Sequence, residues 1–241
     1  MTQLAPSLAP SLADLADRIL ARRGARSPFL VGITGAVAAG KSTFAAQLEQ
    51  LLGARGETVE IVSTDGFLMS NAALEAKGLL MRKGFPESYD VNGMRAALAA
   101  IRKGPAEFPG YSHVIYDIDP TLVRRVNPPG LLLVEGLGLQ DGAAALGLDL
   151  LMYLDADETD VARWFTERFV GLWRGAEHDP ASFYARFRHM SEAETRAFAG
   201  QVWRGVNLPN LRENIIRARA AADLVVTKGP NHEIASVRES T

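Results

Sequence analysis

No cysteine occurs in the chain, which excludes disulfides, thiolate zinc sites and a cysteine nucleophile and fits a cytoplasmic protein. No run of about 18 apolar residues is present either, so no segment is expected to span a membrane. Charge of one sign is not in excess: 26 Lys and Arg against 28 Asp and Glu leave a formal net charge of −2. That balance supplies no global basic field, so neither nucleic acid nor an anionic membrane is the expected partner, and any attraction for phosphate has to be local. The opening residues carry Pro6, Pro10 and Asp14 where a secretory signal needs a charged start and a continuous apolar stretch, so no signal peptide is expected there. What the chain does have is 47% hydrophobic residues over 241 positions, enough to bury the core of one α/β domain.

The most specific feature lies at residues 29–43, FLVGITGAVAAGKST. An apolar, β-branched run leads straight into Gly35, Ala36, Val37, Ala38, Ala39, Gly40, Lys41, Ser42 and Thr43, and FAAQLEQLL follows with helical spacing. Strand, glycine-bounded loop, Lys-Ser and helix together form a phosphate-binding loop. Backbone N–H groups can wrap the phosphates, Lys41 can reach the outer ones, and the Ser42 hydroxyl can hold Mg2+. A glycine-rich turn with no ligand is the other reading of the eight-residue pattern, and the flanking strand and helix weigh against it.

Strand and helix signals then alternate. Apolar runs at 29–34, 58–63, 131–134, 150–154 and 223–227 predict strands, with helical periodicity between most of them. The alternation predicts an α/β fold with a mostly parallel central sheet and helices on both faces, in which ligands gather at the C-terminal ends of the strands. Ser11 and Asp14 form a capping-box pattern ahead of an apolar stripe, predicting a short amphipathic helix. Residues 1–28 thus read as an N-terminal arm, loose over 1–10, and a helix, with 29–241 as a single domain. Residues 104–130 contain Pro105, Pro109, Pro120, Pro128 and Pro129 and read as an excursion from the core.

Two carboxylates fall at predicted strand ends. Asp65 can accept a proton from a substrate hydroxyl or hold magnesium-bound water; an Asx-turn before Gly66 is the alternative. Glu135, after LLLV, can orient the magnesium shell, or serve as a helix cap or salt-bridge partner. In the excursion, Tyr111, His113 and Tyr116 cannot all point one way from a regular strand, because side chains alternate with period two. Either a turn intervenes or a site is reached from two sides, and by spacing alone ordinary edge-strand packing is the better reading.

From residue 29 nearly to its end the chain resembles the bacterial type I pantothenate kinase family, within the phosphate-loop kinases that include uridine kinase and phosphoribulokinase. The resemblance is carried by GAVAAGKST, STDGFL, RKGFPESYD at 82–90, YSHVIYD at 111–117, LLVEGL, NLPNLRENI and NHEIASV. It implies a three-layer P-loop fold with a lid, and transfer of phosphate from ATP to the 4′-hydroxyl of pantothenate, the first step toward coenzyme A. It further implies that Lys41, Ser42 and Thr43 hold the ATP phosphates and Mg2+, and that Asp65 is the catalytic base. Tyr111, His113, Tyr116 and Asn207 would line the pantothenate pocket, Arg168 of WFTERF would stabilise the transferring phosphoryl group from a lid helix, and His232 would pack against the adenine. A homodimer is implied on the same basis.

The chain departs from the family pattern in several places. The segment before the phosphate loop is shorter than in the longer family members, so part of the adenine-side wall that this region supplies is expected to be missing, and residues 140–149 are abridged as well. Phe165 stands where a tyrosine near pantothenate is usual, keeping the ring without its hydroxyl. Ala46 and Leu172 replace an arginine and a phenylalanine that engage coenzyme A, so feedback inhibition is expected to be weak. Two alternatives stay open: a phosphate-loop kinase for another nucleoside, sugar or hydroxy acid, and a non-catalytic nucleotide or coenzyme A sensor. A guanine-nucleotide switch is disfavoured because no Asn-Lys-x-Asp motif follows the later strands.

Overall fold

The structure is a computed structural model that describes residues 10–240. The loose arm expected over 1–10 lies outside the described residues apart from Pro10. Helix α1 (Leu12–Arg23) starts at the expected capping box, with Ser11 and Asp14 bonding reciprocally, and it buries Leu15, Ala16 and Ile19 in the core. There follow β1 (Phe29–Gly35), α2 (Lys41–Gly53), β2 (Val59–Ser63), α3 (Asn71–Ala76) and α4 (Val91–Ile101). Next come β3 (Ala106–Ser112), β4 (Asp117–Val126), β5 (Leu131–Glu135), α5 (Ala143–Leu146), β6 (Leu150–Asp155), α6 (Glu158–Gly175) and α7 (Glu192–Val202). The chain ends with α8 (Leu208–Asn210), α9 (Arg217–Ala221), β7 (Leu224–Lys228) and β8 (Ile234–Glu239).

The main sheet runs β2-β5-β1-β6-β7-β8, parallel from β2 to β7 and antiparallel only at β8. Helices cover both faces, as a phosphate-loop α/β fold requires. The central strands read as continuous apolar runs because both of their faces are covered. Phe29, Leu30, Val31 and Ile33 of β1 have no exposed surface, and each such side chain stabilises the fold by about 1.5–3 kcal/mol relative to exposure. That burial pins β1 between β5 and β6 and so fixes where the phosphate loop emerges.

The five strands expected from the sequence all form, each within about a residue of its expected bounds. The excursion at 104–130 is the antiparallel β3-β4 hairpin, a separate two-stranded sheet whose register shifts between Phe108 and Gly110. Pro109 sits in that irregularity, where a residue without an N–H interrupts the ladder least. Strand β8 was not expected: only Ile234 and Val237 of its six residues are even half-buried, so the apolar alternation that marks a strand is weak.

Candidate active site

The phosphate loop forms as its motif requires. A Cβ at Gly35 would run into the carbonyl oxygen of Leu154, and the φ of +146° there is one that side chains rarely adopt. Ala38 (φ 68°) and Gly40 (φ 82°) turn the loop into α2. Gly40 caps that helix without a side-chain hydrogen bond, so no side chain competes with an anion for the helix N-terminus. Ser42 and Thr43 are exposed at that end, while Ala36, Ala38 and Ala39 are buried and Val37 half-buried. Lys41 Nζ donates to the carbonyl oxygens of Gly35 (3.2 Å) and Ala36 (2.9 Å). Burial pushes the Lys41 ammonium down, and the charges of Glu135 and Asp65 push it back up.

Both carboxylates stand at strand ends beside this loop. Ser63 Oγ caps the short helical turn Thr64–Phe67 by accepting from the Asp65 N–H at 3.2 Å. The Asx-turn alternative is therefore not adopted, and no hydrogen bond engages the Asp65 carboxylate among the described residues. Glu135 ends β5 and pairs in register with Ser63 on one side and Ile33 on the other. It is 8% exposed and makes no salt bridge within 4 Å among the described residues. Burial raises its pKa, opposed first by Lys41 and more weakly by the hydroxyls of Ser42 and Ser63. The next residue, Gly136, has φ +141°, and a Cβ there would collide with Thr64 Oγ1. The two strand ends are thus packed backbone against side chain, which holds the carboxylates at a fixed spacing.

The three polar rings of the hairpin do converge, because a turn intervenes. Strand β3 ends at Ser112, and Tyr116 (φ 57°) completes the reversal before β4. The Tyr111 ring then lies 5.1 Å from His113 and 6.0 Å from Tyr116, centroid to centroid. Lys83, which sequence reasoning passed over, sits beneath them. Its Nζ donates to Asn71 Oδ1 (2.6 Å) and to the carbonyl oxygen of Tyr116 (2.7 Å), and lies about 5 Å from both tyrosine ring centres. The only hint was its place in the RKGFPESYD motif. On the far side, Phe183 stacks on Tyr116 at 4.5 Å and its N–H bonds the carbonyl oxygen of Val114. Phe169 and Phe187 continue this aromatic wall.

Helix α6 and the C-terminal segment close the remaining sides. Arg168 is exposed on α6 and forms no ion pair among the described residues, whereas Arg163 and Arg174 of the same helix are both paired. Its charge nevertheless bears on Lys41 and Tyr116. Phe165 is half-buried against Phe169 and Trp203. Asn207 ends the wide helical turn Trp203–Asn207, in which bonds run i to i+5, a form that often marks functional sites. Asn210, just beyond it, donates to the carbonyl oxygen of Gly84 at 2.8 Å and so ties this segment to the Lys83 loop. The His232 ring stacks on Trp164 at 3.8 Å, and burial together with the neighbouring Lys228 lowers its pKa. Ala46 is half-buried on α2, and Leu172 is exposed on α6.

The donors near the loop are hard oxygens, the Ser42 hydroxyl and the Glu135 carboxylate. Among the described residues no group of three or more His, Cys, Asp or Glu side chains could hold a metal by itself. That donor set fits Mg2+, which keeps several waters and is shared with nucleotide phosphates, better than a metal in an all-protein cage. Among the described residues no helix is long and apolar enough to cross a membrane.

Residues 30–168 match the model of the Phosphoribulokinase / Uridine kinase family. A pantothenate kinase of Sorangium cellulosum is 43% identical over 95% of this chain and 78% of its own length. The pantothenate kinase of Streptomyces coelicolor is 42% identical over 90% of this chain and 71% of its own. Among solved structures, a protein described as a fructose transport system kinase from Silicibacter sp. TM1040 superposes with a TM-score of 0.70 at 25% identity, covering 88% of this chain and 96% of that one. By the family match and by identity over nearly its whole length, the chain belongs to the phosphoribulokinase/uridine kinase family and, within it, to the pantothenate kinases.

Proposed function

We propose that the chain transfers the γ-phosphoryl group of ATP to the 4′-hydroxyl of pantothenate, giving 4′-phosphopantothenate and ADP. The observation that carries this reading is the position of Asp65. Its carboxylate makes no hydrogen bond among the described residues, and its charge is felt both by Lys41 of the phosphate loop and by Tyr111 and Tyr116 of the hairpin. A base that takes a proton from an acceptor hydroxyl needs that place between donor and acceptor sides.

In the reaction, a bond forms between the acceptor oxygen and the γ-phosphorus while the bond to the β,γ-bridging oxygen breaks, and Asp65 takes the hydroxyl proton. Phosphoryl transfer depends on positioning and cationic stabilisation more than on covalent chemistry. Lys41 supplies one cation from the loop. Arg168, with no carboxylate partner among the described residues to hold it away, supplies the second, a contribution worth a factor of about 10³ or more in comparable sites. Ser42 and Glu135 are the residues that would hold Mg2+, which when bound neutralises charge on the phosphates. The N–H groups from Gly35 to Thr43 cradle those phosphates, and His232, one face on Trp164, offers its other face to the adenine. Tyr111, His113, Tyr116 and Asn207 take the acceptor, with Phe165 as an apolar wall.

The same reading extends to regulation and setting. Ala46 and Leu172 leave coenzyme A a weakened inhibitor, the enzyme acts as a homodimer, and it works in the cytoplasm. The experiment that tests the function is ADP release with pantothenate, uridine and D-glycerate as competing acceptors. Pantothenate should give the highest kcat/KM, and a preference for either of the others overturns the assignment.

A further inference from the structure

Two buried side-chain polar atoms have no hydrogen-bond partner among the described residues, Thr64 Oγ1 and Tyr89 Oη. They differ in surroundings. Thr64 has no exposed surface, and its Oγ1 fills the space where a Cβ on Gly136 would sit, so no ligand atom can reach it there. Tyr89 is 5% exposed, and the groups around its phenol are those of the site itself.

The position of Tyr89 is set by backbone. Leu68 and Tyr89 form an isolated antiparallel bridge, flanked by Met69 N–H to the Ser88 carbonyl (2.8 Å) and Asp90 N–H to the Phe67 carbonyl (2.7 Å). These bonds lace the GFPESYD segment to the turn that carries Asp65. The ring lies over Gly138, where an added Cβ would meet it at 3.5 Å, and almost none of its surface reaches solvent. A buried hydroxyl without a partner costs about 1–3 kcal/mol, and chains keep such a group when a ligand supplies the missing partner. Burial, then the charge of Asp65, then Tyr116, Tyr111 and Glu135 hold the phenol protonated well above its ordinary range. The hydroxyl is thus a hydrogen-bond donor at neutral pH, within electrostatic reach of Asp65 and the hairpin tyrosines.

We infer that Tyr89 is a further acceptor-binding residue, whose buried, unpartnered hydroxyl donates a hydrogen bond to the hydroxyl-bearing end of the accepting alcohol beside Asp65. This rests on the kinase reading above but not on which alcohol is used. It also separates Tyr89 from a packing role: the ring packs, while the oxygen serves only the ligand.

The test is Tyr89→Phe, which keeps the ring and removes the oxygen. Wild type is first assayed with pantothenate, uridine and D-glycerate, and the variant is compared on whichever acceptor wild type uses. A switch of acceptor would therefore overturn the proposed function while leaving the Tyr89 test intact. The expected result is a fall of about 10-fold in kcat/KM for the acceptor, an unchanged KM for ATP, and a Tm of the ligand-free protein that is equal or higher. A kcat/KM within about twofold of wild type overturns the inference. So does a lowered Tm with both KM values raised, which would make the hydroxyl structural.

Discussion

Lys228 Nζ, at the end of β7, donates to the carbonyl oxygen of Ala39 in the phosphate loop across 2.9 Å. The same nitrogen lies 3.3 Å from His232 Nδ1, so one buried cation links the loop to the histidine stacked on Trp164. Lys228→Met should leave that carbonyl unpaired and loosen both partners. The expected outcome is a rise of about 3- to 30-fold in the KM for ATP, with the KM for pantothenate little changed, read from initial rates. Equal effects on both substrates would show that the link supports the fold in general rather than the nucleotide side.

Asp65→Asn removes the proton acceptor while keeping size and shape. Turnover should fall by about 10²- to 10⁴-fold, and ATP affinity measured by calorimetric titration should stay near that of wild type. Near-normal turnover would take Asp65 out of the base role.

Glu135 carries the pH dependence. Its folded pKa is raised above 4.5 by burial, so the folded state binds more protons than the unfolded one, and stability is lost as pH rises from about 4.5 through the folded value. The cost is complete once the pH exceeds the folded value in the ligand-free protein. Glu135→Gln should therefore raise Tm at neutral pH, an advantage that shrinks as pH falls below the carboxylate range. The same variant should need more Mg2+ for half-maximal rate, since one hard oxygen ligand is replaced by a neutral amide. A lower Tm at neutral pH would mean that the carboxylate is a net structural asset.

Coenzyme A should inhibit weakly. Ala46 offers no guanidinium to a phosphate, and Leu172 offers no aromatic ring. An inhibition constant in the low micromolar range, competitive with ATP, would contradict this, and a gain of inhibition in Ala46→Arg would support it.

The reach of the sequence differs from element to element, for physical reasons. Strands β1, β5, β6 and β7 are largely apolar because helices cover both of their faces, and that leaves a strong local signal, while the edge strand β2 keeps a shorter apolar run broken by Glu60. Strand β8 is an exposed edge, so its composition says little. The convergence of Tyr111, His113 and Tyr116 depends on the backbone reversal at Tyr116, which the period of an ideal strand cannot express. Lys83 and Lys228 are held in part by carbonyl oxygens distant in sequence, at Tyr116 and Ala39. The unengaged state of Asp65 likewise depends on Ser63 taking the capping role, a choice between two adjacent polar residues that only the folded turn makes.

The most direct test of the account is the chemical identity of the product. The purified protein is incubated with ATP, Mg2+ and pantothenate, and the mixture is followed by phosphorus and proton NMR. The expected result is one phosphate monoester, coupled to the methylene protons of the primary 4′-hydroxyl carbon and formed in step with ADP. ADP release no faster with pantothenate than without it, or phosphate on the secondary hydroxyl, would contradict the account.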